Sequence, residues 1–248
     1  APGLLALALV RALRPRAGRV TAVRPSVEQI DGFRREFAQD PLATAELVDV
    51  RKRSSLEALR DNVERLDILI PNAGVNTRIK ALDLPDEALR EMLDTNLYGV
   101  FVTCQVFAPL LVAKPGGRIV VTGSVSAVYG MDLRAAYSAT KAGLSGLVRS
   151  LAIEWGPMGV NVNAVGPGVI ETPLTRPYMD QFPDRVVATI ANTPLRRPGT
   201  PEDVADAVVF LASAAARLLH GQTLFLPARP PAGAPYRAVP PYRSPPPP

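Results

Sequence analysis

Short runs of β-branched residues alternate along the chain with longer stretches in which apolar residues recur every three or four positions. The short runs predict strands over residues 18–23, 45–50, 67–74, 117–124, 160–168 and 222–227. The longer stretches predict helices over residues 26–39, 54–66, 85–113, 133–156 and 200–213. Strands that are apolar on both faces and alternate with helices indicate an α/β fold with a Rossmann-like, doubly wound parallel sheet and helices on both faces.

The stretch 85–113 is too long for one ordinary helix, so we expect two helical segments joined near Asn96. Ser26 is a candidate N-cap for the helix that follows it. In a doubly wound sheet, ligands bind at the carboxyl ends of the strands. The predicted chemistry therefore lies in the segments that follow the strands, among them "NAGVN", "GSVSA" and "GPGVIETP".

The chain divides by composition into a single domain over residues 1–227 and a proline-rich segment over residues 228–248. Proline at this density cannot join a sheet or a helix and favours extended polyproline II. The composition favours a disordered tail or read-through sequence, and a ligand for a proline-binding module is the alternative.

Net charge, the cysteine and histidine counts and the length of apolar runs exclude several classes of function. The 248 residues carry a formal net charge of +5, but the arginines are scattered and often lie next to acids, so we expect no nucleic-acid partner. Cys104 is the single cysteine, which excludes an internal disulfide and a cysteine-rich metal site, and His220 is the single histidine. No apolar run reaches the roughly 18–20 residues that span a bilayer. We therefore expect no metal, no membrane and a cytoplasmic location.

Tyr137 and Lys141 lie four residues apart in "AAYSATKAG", on one face of a predicted helix. A free tyrosine titrates near pH 10, and a neighbouring ammonium lowers the pKa of its hydroxyl, so the pair is a candidate general acid/base. Ser124 ends a predicted strand, where its hydroxyl can hold a carbonyl oxygen. At the helix junction, Asn96 can hold a water molecule or bind a freed carbonyl.

Seven segments together resemble the short-chain dehydrogenase/reductases, in the order and spacing of that family. They are "VDV", "NAG", "DTNLYGVF", "GRIVVTGS", "YSATK", "GVNVNAVGPGVIET" and "PLRRPGTPEDVADAVVFLAS". The resemblance implies an NAD(P)(H)-dependent enzyme that interconverts a secondary alcohol and a ketone. It also implies a homodimer or homotetramer, formed through the two long helices over residues 85–113 and 133–156.

The resemblance further implies the roles of individual residues. Tyr137 would be the acid/base, Lys141 would lower its pKa and bind the nicotinamide ribose, and Ser124 would orient the substrate oxygen. Asn96 would fix a water that links Lys141 to solvent. The other cofactor contacts would come from the strand ends, at Asp49, Val50, Asn72, Ala73, Gly74, Pro167, Gly168, Ile170 and Thr172.

Cofactor preference follows from the end of the second strand of such a fold, where an acid binds a ribose hydroxyl and an arginine accepts a 2′-phosphate. Here Val23 occupies the position of the acid, and Arg24 follows it. This slightly favours NADP(H) over NAD(H), although Arg24 is equally interpretable as a surface residue.

The sequence does not identify the substrate. Residues 173–192 lie where relatives carry a mobile lid, and Tyr178, Met179 and Phe182 would either form an apolar wall for the substrate or pack the lid against the domain. The segment "NTPLRRPGTPEDVADAVVFLAS" is similar to sugar-acid dehydrogenases and to 3-oxoacyl carrier-protein reductases, and the two remain open.

The Gly-rich cofactor loop of the family is missing from the pattern. "GLLALALVRALRPRAG" aligns with the first helix, Gly3 aligns with the last glycine of the loop, and the first strand would precede residue 1. Two hypotheses therefore remain. One is an active oxidoreductase of which this sequence is an incomplete reading. The other is a non-catalytic truncated remnant of the fold that cannot bind a dinucleotide.

Overall fold

A computed structural model describes residues 4–172 and 175–226 of the protein. Gly3 and the proline-rich segment 228–248 lie outside the described residues. So does the last residue of the predicted domain, at position 227.

The described residues form two parallel sheets. One contains β1 (Val20–Arg24) and β2 (Ala43–Leu47). The other has the strand order β3-β4-β5-β6, with β3 at Ile68–Leu69, β4 at Arg118–Thr122, β5 at Asn161–Pro167 and β6 at Thr223–Leu226. All neighbouring strands run parallel, as the alternating pattern predicts.

Helices connect the strands, and the predicted N-cap is confirmed because the Ser26 side chain accepts a hydrogen bond from the Gln29 N–H at 3.4 Å. The helices are α1 (Leu4–Leu13), α2 (Val27–Glu36), α3 (Arg53–Arg60), α4 (Asp86–Leu93), α5 (Gly99–Val112), α6 (Ala135–Trp155), α7 (Arg176–Gln181), α8 (Pro183–Ala191) and α9 (Pro201–Ala212). Thr200 and Asp203 close a capping box at the start of α9.

Alternate residues of β4 face opposite helical layers. Ile119 and Val121 are fully buried against α5 and α6, and Val120 is fully buried against α1 and α9. Burial of a valine or isoleucine side chain contributes about 1.5–3 kcal/mol, so the pattern of β4 strongly stabilises this three-layer arrangement.

Helix α1 links the two sheets. Its Ala8 and Leu9 pack with α9 and the four-stranded sheet. Its Leu7 and Val10 pack with Phe33 of α2 and with the two-stranded sheet. One amphipathic helix thus holds both sheets at the edges that face each other.

The predicted junction in the stretch 85–113 is a π-helical turn, Asp94–Tyr98, between α4 and α5. By length and composition, the continuous stretch Asp86–Val112 could cross a membrane, contrary to the expectation from unbroken apolar runs. A mean hydropathy tolerates single polar residues that break a run, which explains the difference. Half of the most apolar window is buried inside the fold, as in core helices of soluble proteins.

Several predicted boundaries are wrong. Strand β2 ends at Leu47 rather than residue 50, α2 ends at Glu36 rather than residue 39, and α3 ends at Arg60 rather than residue 66. Strand β3 covers only two residues of the segment 67–74, for which the sequence predicts a strand ending in a turn. It pairs with β4 on one side, and Pro71 interrupts the ladder because it has no N–H to donate.

Candidate active site

The carboxyl ends of the parallel strands open onto one cleft of about 2880 Å³. Of the sequence-predicted site residues, Asn96 is fully buried behind the wall of this cleft, Phe182 packs on Tyr178 and does not line it, and Gly3 lies outside the described residues. All the others line the cleft. These are Arg24, Asp49, Val50, Asn72, Ala73, Gly74, Ser124, Tyr137, Lys141, Pro167, Gly168, Ile170, Thr172, Tyr178 and Met179. The cleft also extends between β1 and β3, along the facing edges of the two sheets.

Ser124 lies two residues after the end of β4 and is 6% exposed. The preceding Gly123 donates its N–H to the Val165 carbonyl at 2.7 Å, and a Cβ at this glycine would lie 3.0 Å from the same oxygen. The absence of a side chain at Gly123 therefore lets the chain turn closely over β5. The Ser124 Oγ accepts the Ser126 N–H at 3.1 Å, which leaves its own hydroxyl proton available to a partner in the cleft.

Lys141 is only 4% exposed, and its Nζ donates to the Thr122 carbonyl at 2.8 Å. Burial lowers the pKa of this ammonium to about 8. The Nζ lies 5.7 Å from the centre of the Tyr137 ring, so the two predicted partners do share one helix face of α6.

The Tyr137 hydroxyl is largely buried, and its surroundings act on its pKa in both directions. Burial raises the pKa above its ordinary value, and the effects that oppose burial are a hydrogen bond with Ser124 and the positive charges of Arg134 and Arg78. Ser124 and these two arginines therefore favour the phenolate of Tyr137.

Asn96 is fully buried in the π-helical turn. Its Oδ1 accepts the Val75 N–H at 2.7 Å, and its Nδ2 donates to the Val75 carbonyl at 2.8 Å and to Thr140 Oγ1 at 3.3 Å. The carbonyl that it binds is that of Val75 in the segment after β3, not one freed at the helix junction. One amide thus clamps the main chain that follows β3 against α6.

The turn Asn72–Gly74 is held from the other side by β4, because Thr122 Oγ1 donates to Asn72 Oδ1 at 3.0 Å. A Cβ at Gly74 would lie 3.3 Å from Asn96 Oδ1 and 3.7 Å from the Lys141 Nζ. Glycine is therefore the residue that lets this turn approach the buried amide and ammonium closely.

The end of β2 presents Asp49 and Val50 to the cleft. Arg51 binds Asp49 through both side chains, with Nε and Nη2 at 2.9 and 3.0 Å from the two carboxylate oxygens. This contact lowers the pKa of Asp49. Val50 packs against Gly99, whose added Cβ would lie 3.0 Å from Val50 Cγ2.

Arg24, the last residue of β1, is 7% exposed. Its Nε and Nη2 are buried and have no hydrogen-bond partner among the described residues, and its guanidinium carbon lies 5.7 Å from the centre of the Phe33 ring. Burial lowers its pKa. An unpaired buried cation is costly, so this position can accept an anion and is not an ordinary surface residue.

The segment after β5 is fixed by main-chain bonds. Gly168 donates its N–H to the Leu226 carbonyl, and Ile170 forms a parallel bridge with Gly199. The Thr172 N–H donates to Thr175 Oγ1 at 2.9 Å. This network places the predicted residues 167–172 along one wall of the cleft.

Tyr178 and Met179 of α7 contribute a further wall, and the Tyr178 ring packs against Phe182 at a centroid distance of 5.3 Å. The sequence analysis missed two residues beside them, Arg78 and Arg134, which also line the cleft. A basic residue a few positions after the strand-end turn "NAG" was the available signal for Arg78. Arg134 precedes α6, and nothing in its sequence context distinguishes it from the many other arginines.

A family profile described as enoyl-(acyl carrier protein) reductase matches residues 5–227. The 3-oxoacyl-[acyl-carrier-protein] reductase FabG of Escherichia coli is 38% identical over 171 residues, which cover 69% of each chain. The chain belongs to the short-chain dehydrogenase/reductase family. As a member of this family it is an NAD(P)-dependent oxidoreductase that acts on a small molecule.

Other members of the short-chain dehydrogenase/reductase family that the chain resembles are named for polyol and sugar-acid substrates. Galactitol 2-dehydrogenase of Rhizobium johnstonii is 41% identical over 166 residues, which cover 66% of this chain and 64% of the relative. The crystal structure of a gluconate 5-dehydrogenase from Burkholderia cenocepacia, in complex with NADP and tartrate, superposes with a TM-score of 0.82 at 28% identity. That superposition covers 90% of this chain and 89% of the other.

Proposed function

We propose that this dehydrogenase/reductase interconverts a secondary alcohol and a ketone with NADP(H), and that Tyr137 is its general acid/base. The observation that carries the proposal is the contact between Ser124 and Tyr137 in the cleft, directly beside the buried Lys141. A serine hydroxyl and a tyrosine hydroxyl at one point can bind the same substrate oxygen.

The residues present fit a dinucleotide. Arg24 offers two buried N–H groups that have no hydrogen-bond partner among the described residues, and Gly74 brings the segment after β3 close to Lys141. Asp49 and Val50 would lie beside the adenosine, and residues 167–172 would hold the nicotinamide end. When bound, the cofactor supplies or accepts the hydride.

The protein's own groups handle the proton and the substrate oxygen. Ser124 donates a hydrogen bond to the oxygen, keeps its own proton and stabilises the negative charge that develops there. Tyr137 gives its proton to this oxygen in reduction and takes it back in oxidation. Lys141, together with Arg78 and Arg134, favours the phenolate during this exchange, because all three are cations close to the ring.

Asn96 acts in this mechanism through the main chain. By holding both polar groups of Val75, it fixes the turn that borders Gly74 and Lys141. In addition, we propose that Asn96 holds a water molecule that links Lys141 to solvent, as the family resemblance implies.

The preference for NADP(H) over NAD(H) rests on Arg24. Its buried guanidinium lacks an anionic partner among the described residues, and a 2′-phosphate would provide one. Bonds between arginine and phosphate are frequently bidentate, which suits the two free donors.

A second candidate is a non-catalytic protein of the same fold. The observation that favours it is the open region between the edges of β1 and β3, because no strand pairs the two sheets within the described part of the chain. Such a protein would act through protein contacts.

Titration of NADPH fluorescence with the 248-residue chain separates the two candidates. Binding at micromolar NADPH, with turnover of a carbonyl compound, supports the oxidoreductase. No binding at millimolar NADPH supports the non-catalytic candidate and overturns our proposal for this chain.

We assign to the protein a cytoplasmic location and a homodimeric or homotetrameric state formed through the long helices. Large apolar side chains are exposed there, with Tyr98 at 46%, Phe101 at 42% and Ile153 at 78%. Sedimentation equilibrium tests the oligomeric state.

A further inference from the structure

Arg78 and Arg134 bring two positive charges to the substrate side of the cleft. Both line it together with Ser124 and Tyr137, and both act electrostatically on the Tyr137 hydroxyl. Within residues 4–172 and 175–226, neither forms an ion pair with a carboxylate, whereas many surface arginines do. Two neighbouring cations without a carboxylate partner are an unusual feature of a cleft.

Arg78 is held in a defined position by stacking. Its guanidinium carbon lies 3.8 Å from the centre of the Tyr178 ring, which covers one face of the group. Its Nε is buried and has no hydrogen-bond partner. Burial and the charge of Arg134 lower the pKa of Arg78 to about 10. Stacking covers the face of a guanidinium but leaves the donors at its edge free to bind a planar anion.

Arg134 lies at the start of α6 after an unusual backbone conformation. The preceding Leu133 has φ +60°, in the left-handed region that a leucine rarely adopts. The Nη1 of Arg134 donates only to the Met131 sulfur, at 3.4 Å, and a thioether is a weak acceptor. The strained backbone at Leu133 thus positions Arg134, whose observed partner, the Met131 sulfur, does not neutralise its charge.

We infer that Arg78, assisted by Arg134, binds a carboxylate of the substrate, so that the natural substrate is a hydroxy acid or an oxo acid. The inference rests on the proposed function, because it places the reacting carbon at Tyr137 and Ser124. A carboxylate matches the planar edge of a guanidinium and relieves the repulsion between the two cations.

The inference separates substrate classes that the sequence leaves open. A neutral polyol or a neutral acyl thioester leaves both guanidinium groups without an opposite charge. A hydroxy acid provides that charge at one end while its hydroxyl reaches Tyr137. The structure therefore favours the sugar-acid type of substrate over the 3-oxoacyl carrier-protein type.

Two matched pairs of compounds test this inference. D-gluconate and D-glucitol share six carbons and differ at C1, where gluconate carries a carboxylate and glucitol a hydroxymethyl group, and kcat/KM is measured for both with NADP⁺. Tartrate and threitol form a four-carbon pair whose binding is measured by calorimetry, which needs no turnover. Both measurements use the wild-type chain, Arg78→Met, Arg78→Lys and the control Arg176→Gln, which alters an exposed arginine paired with Glu171.

We expect the ratio of kcat/KM for gluconate over glucitol, and the affinity for tartrate, to fall at least about tenfold in Arg78→Met. Arg78→Lys should restore part of both, and Arg176→Gln should change neither. If Arg78 only holds α7 through Tyr178, the two kcat/KM values fall together and the ratio stays constant, which overturns the inference. Equal binding of tartrate and threitol by the wild type also overturns it. Failure of the proposed function is seen separately, as absent NADPH binding.

Discussion

Replacing Lys141 with methionine is expected to stabilise the protein at neutral pH while it abolishes turnover. The two side chains are similar in length, so methionine fits the space without the charge. Because the ammonium is 4% exposed and bound to one carbonyl, the folded protein holds it at a cost that the unfolded chain does not bear.

The size of the effect follows from the pKa of Lys141, which burial lowers from 10.5 to about 8. One pKa unit corresponds to about 1.4 kcal/mol, so the buried ammonium destabilises the folded state by about 3 kcal/mol at pH 7. Loss of the bond to the Thr122 carbonyl offsets about 1 kcal/mol of this, and Lys141→Met should be more stable by about 2 kcal/mol.

The pH dependence has a defined sign. Between pH 8 and 10.5 the unfolded chain binds more protons at this lysine than the folded chain does, so wild-type stability rises with pH through this window. The advantage of Lys141→Met should therefore shrink by about 2 kcal/mol between pH 7 and pH 9.5. Other groups that titrate cancel, because they are common to both proteins.

Urea unfolding followed by the fluorescence of Trp155 measures the difference at both pH values. Lys114→Met is the matched control, because its ammonium is exposed and paired with Asp67, and its difference from wild type should stay below about 1 kcal/mol. A stability difference between wild type and Lys141→Met that is the same at both pH values would refute the reasoning.

Four further substitutions have defined outcomes. Arg24→Met should weaken NADPH at least about tenfold and leave NADH nearly unchanged in fluorescence titrations; equal weakening of both would exclude a contact with the 2′-phosphate. Gly99→Ala should destabilise by about 1–3 kcal/mol in urea, because the new Cβ meets Val50, whereas Gly146→Ala has open space and should stabilise by about 0.5–1 kcal/mol. Asn96→Ala should destabilise by about 3 kcal/mol, because it leaves the buried main-chain N–H and carbonyl that this amide holds unpaired; a loss below about 1 kcal/mol would contradict the clamp.

The spacing of apolar residues predicts which segments are helices and which are strands, because the buried face of each element determines that spacing. The overlong apolar stretch 85–113 predicts a junction near Asn96, and a π-helical turn is found there. The pattern does not predict where strands end. Strand β3 is short because of Pro71 and one-sided pairing, and pairing depends on neighbours distant in the sequence.

The resemblance and the convergence of strand ends in a parallel sheet predict one shared site, and the described candidates other than Asn96 and Phe182 line one cleft. Their electrostatics were not predictable from the sequence. The sequence places Lys141 one turn from Tyr137, but only three-dimensional contacts show that the ammonium binds Thr122 and that Arg78 and Arg134 reach the tyrosine. The burial of Arg24 likewise follows from packing of β1 against α2, which no local pattern encodes.

The most direct test of the account compares wild type with Tyr137→Phe in a stopped-flow assay of NADPH oxidation, using the carbonyl compound that the wild type reduces fastest. We expect both proteins to bind NADPH and the rate of hydride transfer to fall about a thousandfold in the variant, because the proton donor is lost. A variant rate within a few-fold of wild type, or a wild type that binds NADPH and reduces no carbonyl compound, would contradict the account.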